Sequence, residues 1–277
     1  MDTLTPEQTH KLRTLRYFLL DMDGTIYLGK NILPGAAQFV AYLRESGRPY
    51  LFFTNNPASD AEHYAHKLTT MGIAASPNDI LTSGEATARY LAQETPYRKV
   101  FVIGTPSFES ELTRAGLQLD EAEPEAVVLA FDKTLTYAKL EKANLLLRQG
   151  LPFIATNPDA VCPTDYGYIP DCGAIAALLQ TASGRAPKYI GKPNPEMARM
   201  GMDKIGATVG DSAMVGDRLY TDMAMAYRTG ITSILVLSGE TTERDLVTAP
   251  RVPDFAFANV GKLCEALQTC DSKTGQK

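Results

Sequence analysis

The chain has 277 residues, which is enough for one large domain or two medium ones. Hydrophobic residues make up 44% and charged residues 21%, a balance typical of a globular protein and not of a disordered one. The net charge of −5 and the pI near 5.3 argue against a general nucleic-acid binder. They are compatible with a local basic pocket for an anionic small molecule.

The N-terminal residues 1–16 are polar and lack the apolar core of a signal peptide. No apolar run approaches the roughly 18–20 residues of a membrane span. The four cysteines have no Cys-x-x-Cys spacing, which is typical of reduced thiols. We therefore predict a cytoplasmic protein that binds neither membranes nor nucleic acids.

Residues 17–20 are four consecutive apolar residues, a pattern that favours a strand covered on both faces of a parallel sheet. The run ends in Asp21-Met22-Asp23-Gly24-Thr25. Two carboxylates at the end of a buried strand are costly unless they are paired or bound to a metal. This end is also where open α/β sheets bind their ligands. We predict that Asp21 and Asp23 have different roles beside a hard cation.

The next segment alternates between helix and strand. Residues 33–47 are predicted to form a helix, and residues 49–53 a second buried strand that ends in Thr54-Asn55-Asn56-Pro57. These polar groups follow their strand as Asp21 follows the first one. Ser59 and Glu62 form a potential capping box, which predicts the start of the next helix.

The alternation restarts at about residue 83. This middle segment runs to about residue 184. It has predicted strands at 99–103, 126–130 and 152–155 and predicted helices at 107–115, 137–149 and 172–182. Its residues 157–172 are predicted to form a loop, because they are rich in proline, glycine and polar residues.

Residues 127–134 partly repeat residues 18–25. Ala130 stands where the first copy has Asp21, and Asp132 corresponds to Asp23. If Asp21 is a nucleophile, the repeat cannot carry out the same reaction, because Ala130 stands in the place of that aspartate. We therefore do not place the active centre at Asp132, and convergence of two α/β units also accounts for the similarity.

The last third again has strands followed by polar groups. A predicted strand at 188–190 leads into Lys192, and one at 213–215 leads into Gly216, Asp217 and Asp222. A further strand is predicted at 231–237, and residues from 245 onward are expected to be peripheral. We expect every polar strand end, Lys192 included, to lie at the same edge of one parallel sheet.

Four carboxylates beside one lysine would repel one another without a further cation. Mg²⁺ binds through a few carboxylates and substrate phosphate, and lysine binds phosphate as a compact charge. The set therefore predicts phosphoryl transfer, in which positioning and charge neutralisation dominate. Each motif taken singly is also typical of a helix cap or an exposed side chain.

In their order along the chain, these motifs resemble the four motifs of the haloacid dehalogenase (HAD) superfamily. The segments 54–57 and 190–195, with the middle insert, resemble the subgroup of NagD-type, nitrophenyl and pyridoxal-phosphate phosphatases. The resemblance implies a core domain with a doubly wound parallel sheet, formed by residues 1–83 and 185–277, and an inserted α/β cap domain over 84–184. It also implies hydrolysis of small phosphomonoesters, such as sugar phosphates or nucleotides, through an aspartyl-phosphate.

The resemblance implies a role for each motif residue. Asp21 would attack phosphorus, and Asp23 would protonate the leaving oxygen and then activate water. Thr54 and the backbone amide of Asn55 would bind phosphate oxygens, and Lys192 would neutralise charge on the phosphate and on Asp21. The expected ligands of Mg²⁺ are Asp21, the backbone carbonyl of Asp23, and Asp217, with Asp222 close by.

Some expectations stay less specific. Asn56 is a further candidate for phosphate binding, and the candidate substrate contacts in the cap loop are Asn157, Asp159, Asp165 and Tyr166. A homodimer through the cap is compatible with this family. The alternatives are a phosphotransferase or mutase, a receiver-like signalling module, and a non-catalytic phospho-ligand-binding protein.

Overall fold

The computed structural model describes residues 4–164 and 167–272 and has an α/β fold, which confirms the predicted class. The strands are β1 Tyr17–Asp21, β2 Tyr27–Leu28, β3 Asn31–Ile32, β4 Tyr50–Thr54, β5 Ile80–Thr82, β6 Lys99–Ile103, β7 Gln118–Leu119, β8 Ala126–Leu129, β9 Phe153–Ala155, β10 Val161–Thr164, β11 Gly167–Pro170, β12 Lys188–Tyr189, β13 Ser212–Gly216, β14 Thr232–Val236 and β15 Phe255–Phe257. The helices are α1 Pro6–Thr14, α2 Ala36–Glu45, α3 Ala61–Thr70, α4 Ser83–Glu94, α5 Pro106–Arg114, α6 Tyr137–Arg148, α7 Cys172–Ser183, α8 Pro195–Ile205, α9 Ala224–Thr229, α10 Glu243–Thr248 and α11 Val260–Ser272. Among the described helices, none combines the length and apolar character that crossing a membrane requires.

The chain divides into two compact units. The first contains residues 1–53, 65–80 and 198–277, and the second contains residues 54–64 and 81–197. The predicted cap, 84–184, lies within the second unit, and its boundaries stay a prediction.

A sheet in the order β15-β14-β13-β1-β4-β5 forms the centre of the first unit. The strands from β15 to β4 pair in parallel, and Asp21 at the end of β1 is in register with Phe53 of β4. The apolar residues of β1 are buried because neighbours cover both faces of the strand. This arrangement brings the carboxyl ends of β1 and β13 together at one edge.

The C-terminal segment was expected to be peripheral, and this expectation is wrong. Strand β15 pairs with β14, and helix α11 packs against α1 and α2. Leu263 and Leu267 of α11 are fully buried. The spacing of Val260, Leu263, Cys264 and Leu267 is that of an amphipathic helix, so the sequence did carry a signal for the buried face of α11.

The second unit has its own sheet, in the order β12-β9-β8-β6-β7, with parallel pairing. Helices α6 and α7 pack against each other, and residues of both belong to the buried apolar cluster of this sheet. Strand β12 precedes Lys192, and it pairs with β9 of this second sheet. The prediction that Lys192 follows a strand of the same sheet as Asp21 is therefore wrong.

Three local features also differ from the sequence prediction. The segment 157–172 contains an antiparallel hairpin, in which β10 pairs with β11, and is not only a loop. The backbone N–H of His63 donates to Asp60 Oδ1 at 3.0 Å, so Asp60, and not Ser59, caps α3. Helices α1, α4, α9, α10 and α11 had no predicted counterpart.

Candidate active site

The end of β1 carries the first predicted site residue. Asp21 is buried, and Thr25 Oγ1 donates to its Oδ2 at 3.3 Å. The turn that follows requires Gly24, because its φ is +86° and a Cβ there would lie 2.4 Å from Asp217 Oδ2. This glycine therefore lets the Asp21 turn approach the end of β13 closely.

Three buried carboxylates converge within the first unit. Asp21, Asp217 and Asp222 each offer an oxygen, and these oxygens lie within 4.8 Å of one another. Three negative charges this close are costly in a buried place unless a cation compensates them. An all-oxygen donor set of carboxylates suits a hard divalent cation. The group therefore fits the metal that the sequence predicted.

Backbone groups hold two of these carboxylates in place. The N–H of Glu240 donates to Asp217 Oδ2 at 2.6 Å, and the N–H of Arg218 donates to Asp222 Oδ2 at 3.1 Å. Gly216 allows Asp222 to approach, because a Cβ on Gly216 would lie 2.4 Å from the side chain of Asp222. The acids are thus fixed before any ligand binds.

Asp23 lies in a different environment from Asp21. Its side chain reaches solvent, whereas Asp21 is buried. Partial burial nevertheless raises the pKa of the Asp23 carboxyl, while the charges of Lys67 and Arg218 act in the opposite direction. A raised pKa suits an acid that must donate a proton. Within the described chain, Asp23 is not a member of the carboxylate group that could hold a metal, and its expected contribution was a backbone carbonyl only.

Arg218 is a residue that the sequence reasoning missed. Its guanidinium interacts electrostatically with Asp21, Asp217 and Asp222. Its Nε lies 3.0 Å from Glu240 Oε2, and Glu240 Oε1 accepts from the Tyr220 hydroxyl at 2.8 Å. Its position between the two motif acids, directly after Asp217, was the signal that could have drawn attention to it.

Lys67 is a second basic group that no motif indicated. Its Nζ lies 3.7 Å from the centroid of the Tyr27 ring, and its charge opposes the rise that burial causes in the pKa of Asp23. It lies on α3, more than forty residues from Asp23 in the sequence. No local spacing could have connected the two.

In the second unit, Asn55 organises the predicted phosphate-binding loop. Its Oδ1 accepts from the backbone N–H of Lys192 at 2.8 Å, and its Nδ2 donates to the Lys192 carbonyl at 2.9 Å. Gly191 permits this approach, since a Cβ there would lie 2.7 Å from Asn55 Oδ1. The Asn55 carbonyl accepts from Ser83 Oγ at 2.6 Å. The side chain of Asn55 therefore fixes the backbone of Lys192, which is itself buried.

The neighbours of Asn55 in the loop have their own contacts. Thr54 Oγ1 accepts from the Asn56 N–H at 3.1 Å, and Asn56 Oδ1 accepts from the Ala58 N–H at 2.9 Å. The Tyr64 hydroxyl donates to the Asn56 carbonyl at 3.1 Å. The side chain of Asn56 thus shapes the turn, and its prediction as a phosphate ligand stays a prediction.

The two described cap-loop candidates belong to the same network. Asp159 Oδ2 accepts from Asn55 Nδ2 at 2.7 Å and from Asn157 Nδ2 at 2.9 Å. Asn157 is fully buried, and its Oδ1 accepts from the Thr156 hydroxyl at 2.8 Å. The geometry therefore gives Asn157 and Asp159 a supporting position around Asn55. The other two candidates, Asp165 and Tyr166, lie outside the described residues.

Asp132, the counterpart of Asp23 in the repeat, has its carboxylate satisfied by protein groups. Its Oδ2 pairs with Lys139 Nζ at 2.7 Å, and its Oδ1 accepts from the N–H and hydroxyl of Thr134 at 2.7 and 2.6 Å. Lys139 also donates to the Gly104 carbonyl at 3.3 Å. The arrangement ties α6 to the carboxyl ends of β6 and β8.

Comparison with known proteins agrees with this geometry. Residues 18–118 match the family of haloacid dehalogenase-like hydrolases, and residues 189–263 match a second HAD-hydrolase-like family. An acid sugar phosphatase of Staphylococcus haemolyticus is 35% identical over 258 residues, which are 93% of this chain and 98% of that protein.

Solved structures extend the similarity to the fold. A 4-nitrophenylphosphatase from Thermotoga maritima is 45% identical, covers 94% of this chain and 100% of its own, and superposes with a TM-score of 0.90. NagD from E. coli K-12 is 31% identical over 90% of this chain and 98% of its own, with a TM-score of 0.85. The chain belongs to the haloacid dehalogenase superfamily. Within that superfamily it is a phosphatase of the NagD type, as the resemblance of its motifs predicted.

Proposed function

We propose that this enzyme is a Mg²⁺-dependent phosphatase that hydrolyses small phosphomonoesters through an aspartyl-phosphate on Asp21. The observation that carries the proposal is the group of three buried carboxylates, two of which, Asp21 and Asp217, lie at the ends of the parallel strands β1 and β13. Membership of the NagD-type phosphatases supports the reaction class. Asp217 and Asp222 are held in fixed positions, which supports the view that the charges of the site are preorganised before substrate binds.

In the proposed first step, a carboxylate oxygen of Asp21 forms a bond to phosphorus while the bond from phosphorus to the leaving oxygen breaks. Asp23 donates its proton to that oxygen, so the product leaves as an alcohol. In the second step, Asp23 accepts a proton from water as the water oxygen attacks phosphorus. The bond between phosphorus and Asp21 then breaks, which releases phosphate and restores both acids.

Other groups bind the transferring phosphoryl group in this proposal. Thr54 Oγ1 and the Asn55 backbone N–H donate to its oxygens, and the Lys192 ammonium offsets its negative charge. Thr54 follows Phe53, which is in register with Asp21, and this supports a position near the nucleophile. Asn55 supports the role of Lys192, because it holds the lysine backbone through two hydrogen bonds.

Asp21, Asp217 and the Asp23 carbonyl would hold the cation, with Asp222 beside them. Bound there, the metal would neutralise charge on the nucleophile and the phosphoryl oxygens. The donor set of oxygens supports Mg²⁺, because this ion prefers carboxylates combined with a substrate phosphate. The proposal therefore predicts that chelation abolishes activity and that added Mg²⁺ restores it.

The substrate class we propose is a small phosphorylated metabolite, with sugar phosphates first. This choice is supported by the similarity to an acid sugar phosphatase, and the 4-nitrophenylphosphatase relative supports activity on aryl phosphates. The β10–β11 hairpin is our candidate for contacts to the leaving group. A cytoplasmic location and a homodimer through the cap complete the proposal.

A phosphate-release assay of the purified enzyme tests this function. The panel contains sugar phosphates, nucleoside monophosphates, pyridoxal phosphate, glycerol phosphates and 4-nitrophenyl phosphate, each with Mg²⁺ and with a chelator. We expect Mg²⁺-dependent release of phosphate without an added acceptor. Transfer of phosphate only to an added alcohol or sugar would favour the phosphotransferase alternative, and no turnover of any ester would contradict the proposal.

A further inference from the structure

A basic cavity of about 280 Å³ lies in the first unit at the amino ends of β1 and β4. Its charged lining consists of Arg13, Arg16, Arg48 and Asp271. Arg16 directly precedes β1, whereas Asp21 ends the same strand. The cavity is therefore separate from the carboxylate group at the opposite ends of the strands.

Protein groups fix one of the three arginines. Arg48 Nη1 and Nη2 donate to the two oxygens of Asp271 at 2.7 and 2.9 Å, and Arg48 Nε donates to the Leu15 carbonyl at 3.2 Å. The Tyr42 hydroxyl accepts from Arg48 Nη1 at 3.0 Å and donates to Asp271. These bonds, first those from Arg48, lower the pKa of Asp271, so the pair stays charged. Arg48 thus forms a rigid, largely neutralised wall.

The other two arginines leave a positive charge in the cavity. Within residues 4–164 and 167–272, the exposed side chains of Arg13 and Arg16 donate no hydrogen bond and form no ion pair, although the charge of Arg13 acts on Asp271 and helps to lower its pKa. The backbone N–H of Arg16 donates to the Asp211 carbonyl at 2.8 Å, which fixes where its side chain starts. With one of three arginine charges offset by Asp271, the lining keeps a charge of about +2 in a chain of net charge −5.

We propose that this cavity binds a small doubly charged oxyanion, either a phosphate ester or a dicarboxylate. Guanidinium groups bind carboxylate and phosphate oxygens in pairs, and two of them with no protein acceptor match two negative charges. The volume corresponds to roughly nine water molecules, which is room for phosphate or a short dicarboxylate. A bound anion would join α1 to the segment after α2, and would stabilise the first unit by mass action.

Calorimetric titration of the whole protein tests the proposal, with inorganic phosphate in one arm and malonate in the other. The double variant Arg13→Gln/Arg16→Gln is compared with Arg244→Gln/Arg251→Gln, which removes the same charge from two exposed arginines elsewhere. Both variants keep Lys192 and bind phosphate there alike. The difference in phosphate affinity between the two variants therefore measures binding in the cavity. We expect binding at least about tenfold weaker in the cavity variant, with affinity kept in the control.

The two arms decide which anion the cavity prefers. A larger loss of phosphate affinity than of malonate affinity in the cavity variant, each measured against the control variant, assigns a phosphate ester, and the reverse assigns a dicarboxylate. Equal affinities in the two double variants, or no saturable binding of either anion, overturn the proposal. Thermal unfolding of both variants confirms that each is folded, and the anion is expected to raise the midpoint of the control variant by more than that of the cavity variant.

Discussion

The segment from Phe18 to Thr25 and its repeat from Val127 to Thr134 begin alike and end with opposite electrostatics. In the repeat, Asp132 is surrounded by donors from Lys139 and Thr134. In the first copy, Asp21 faces two other buried carboxylates. The carboxylate of Asp132 is compensated by groups of the protein itself, whereas Asp21 belongs to a group of carboxylates that requires a cation. The same strand-loop design therefore serves structure in one place and is prepared for chemistry in the other.

The largest difference between the two segments is expected in turnover. Asp21→Asn should lower kcat for 4-nitrophenyl phosphate by about 10³-fold or more, because the amide is a poor nucleophile. Asp132→Asn is the matched control, and it should keep activity within about threefold, since the repeat lacks the first aspartate. Steady-state kinetics of the two variants measure this, and similar losses in both would remove the distinction between the segments.

A stability measurement should show how strongly the Asp132 carboxylate of the repeat depends on its own cation, Lys139. Lys139→Met leaves the carboxylate of Asp132 buried without its cation, and this should lower the free energy of unfolding by about 3–5 kcal/mol. Lys142→Met, on the same helix, removes an exposed pair with Glu121 and should cost less than about 1 kcal/mol. Urea unfolding of both variants provides the test. Equal costs would mean that Lys139 does not compensate Asp132.

A further buried acid, Glu111 in the second unit, sharpens the comparison because burial outweighs the compensation that the charge of Arg114 gives it. Within the described part of the chain its Oε2 accepts no hydrogen bond, and burial, followed by the charge of Glu85, raises its pKa from 4.5 to about 8. Between these pH values the folded state binds more protons than the unfolded state. Stability contributed by this group therefore falls as pH rises, by up to about 1.4 kcal/mol per pH unit.

Glu111→Gln keeps the shape of the protonated acid and removes its titration. The variant should match the native protein near pH 5 and exceed its stability by a few kcal/mol near pH 8, measured by urea unfolding at both values. Glu109→Gln, on the same helix, is the control and should show no such growth with pH. A constant difference between Glu111→Gln and the native protein would contradict the assignment.

The smallest expected effect concerns how Arg218 is held beside the carboxylates. Glu240→Gln weakens its charged contact to Arg218 but keeps the backbone N–H that donates to Asp217. We expect kcat to fall about tenfold, or about 1.4 kcal/mol, with little change in thermal stability. Tyr220→Phe removes the hydrogen bond that the Tyr220 hydroxyl donates to Glu240 Oε1 and should have a smaller effect. An unchanged kcat in Glu240→Gln would show that Arg218 needs no such support.

Sequence patterns predicted best where a strand is buried and ends in unusual residues. The apolar run before Asp21 and the run before Asp217 mark β1 and β13, and their parallel pairing brings the acids together. Lys192 was assigned to the wrong sheet, because the residues of a two-residue strand do not encode which neighbour it pairs with. Long-range pairing of this kind depends on packing of the whole unit.

Contacts that join distant parts of the chain could not be predicted. Lys67 reaches Tyr27 from a helix with no motif, and Asn55 holds the backbone of Lys192 across more than a hundred residues. The cap of α3 shows a local limit, since Ser59 and Asp60 are both good capping residues and only the backbone geometry selects Asp60. Capping propensity identifies the candidate residues, and the tertiary structure determines which of them caps the helix.

Identification of the phosphorylated residue tests the central claim most directly. The Asp23→Asn variant, which should hydrolyse the intermediate slowly, is mixed with substrate, quenched in acid and reduced with borohydride, and its peptides are analysed by mass spectrometry. The account predicts that Asp21 is converted to homoserine, since reduction of an aspartyl-phosphate gives that product. Conversion at Asp132, or turnover by the native enzyme with no modified aspartate in the trapped variant, would contradict it.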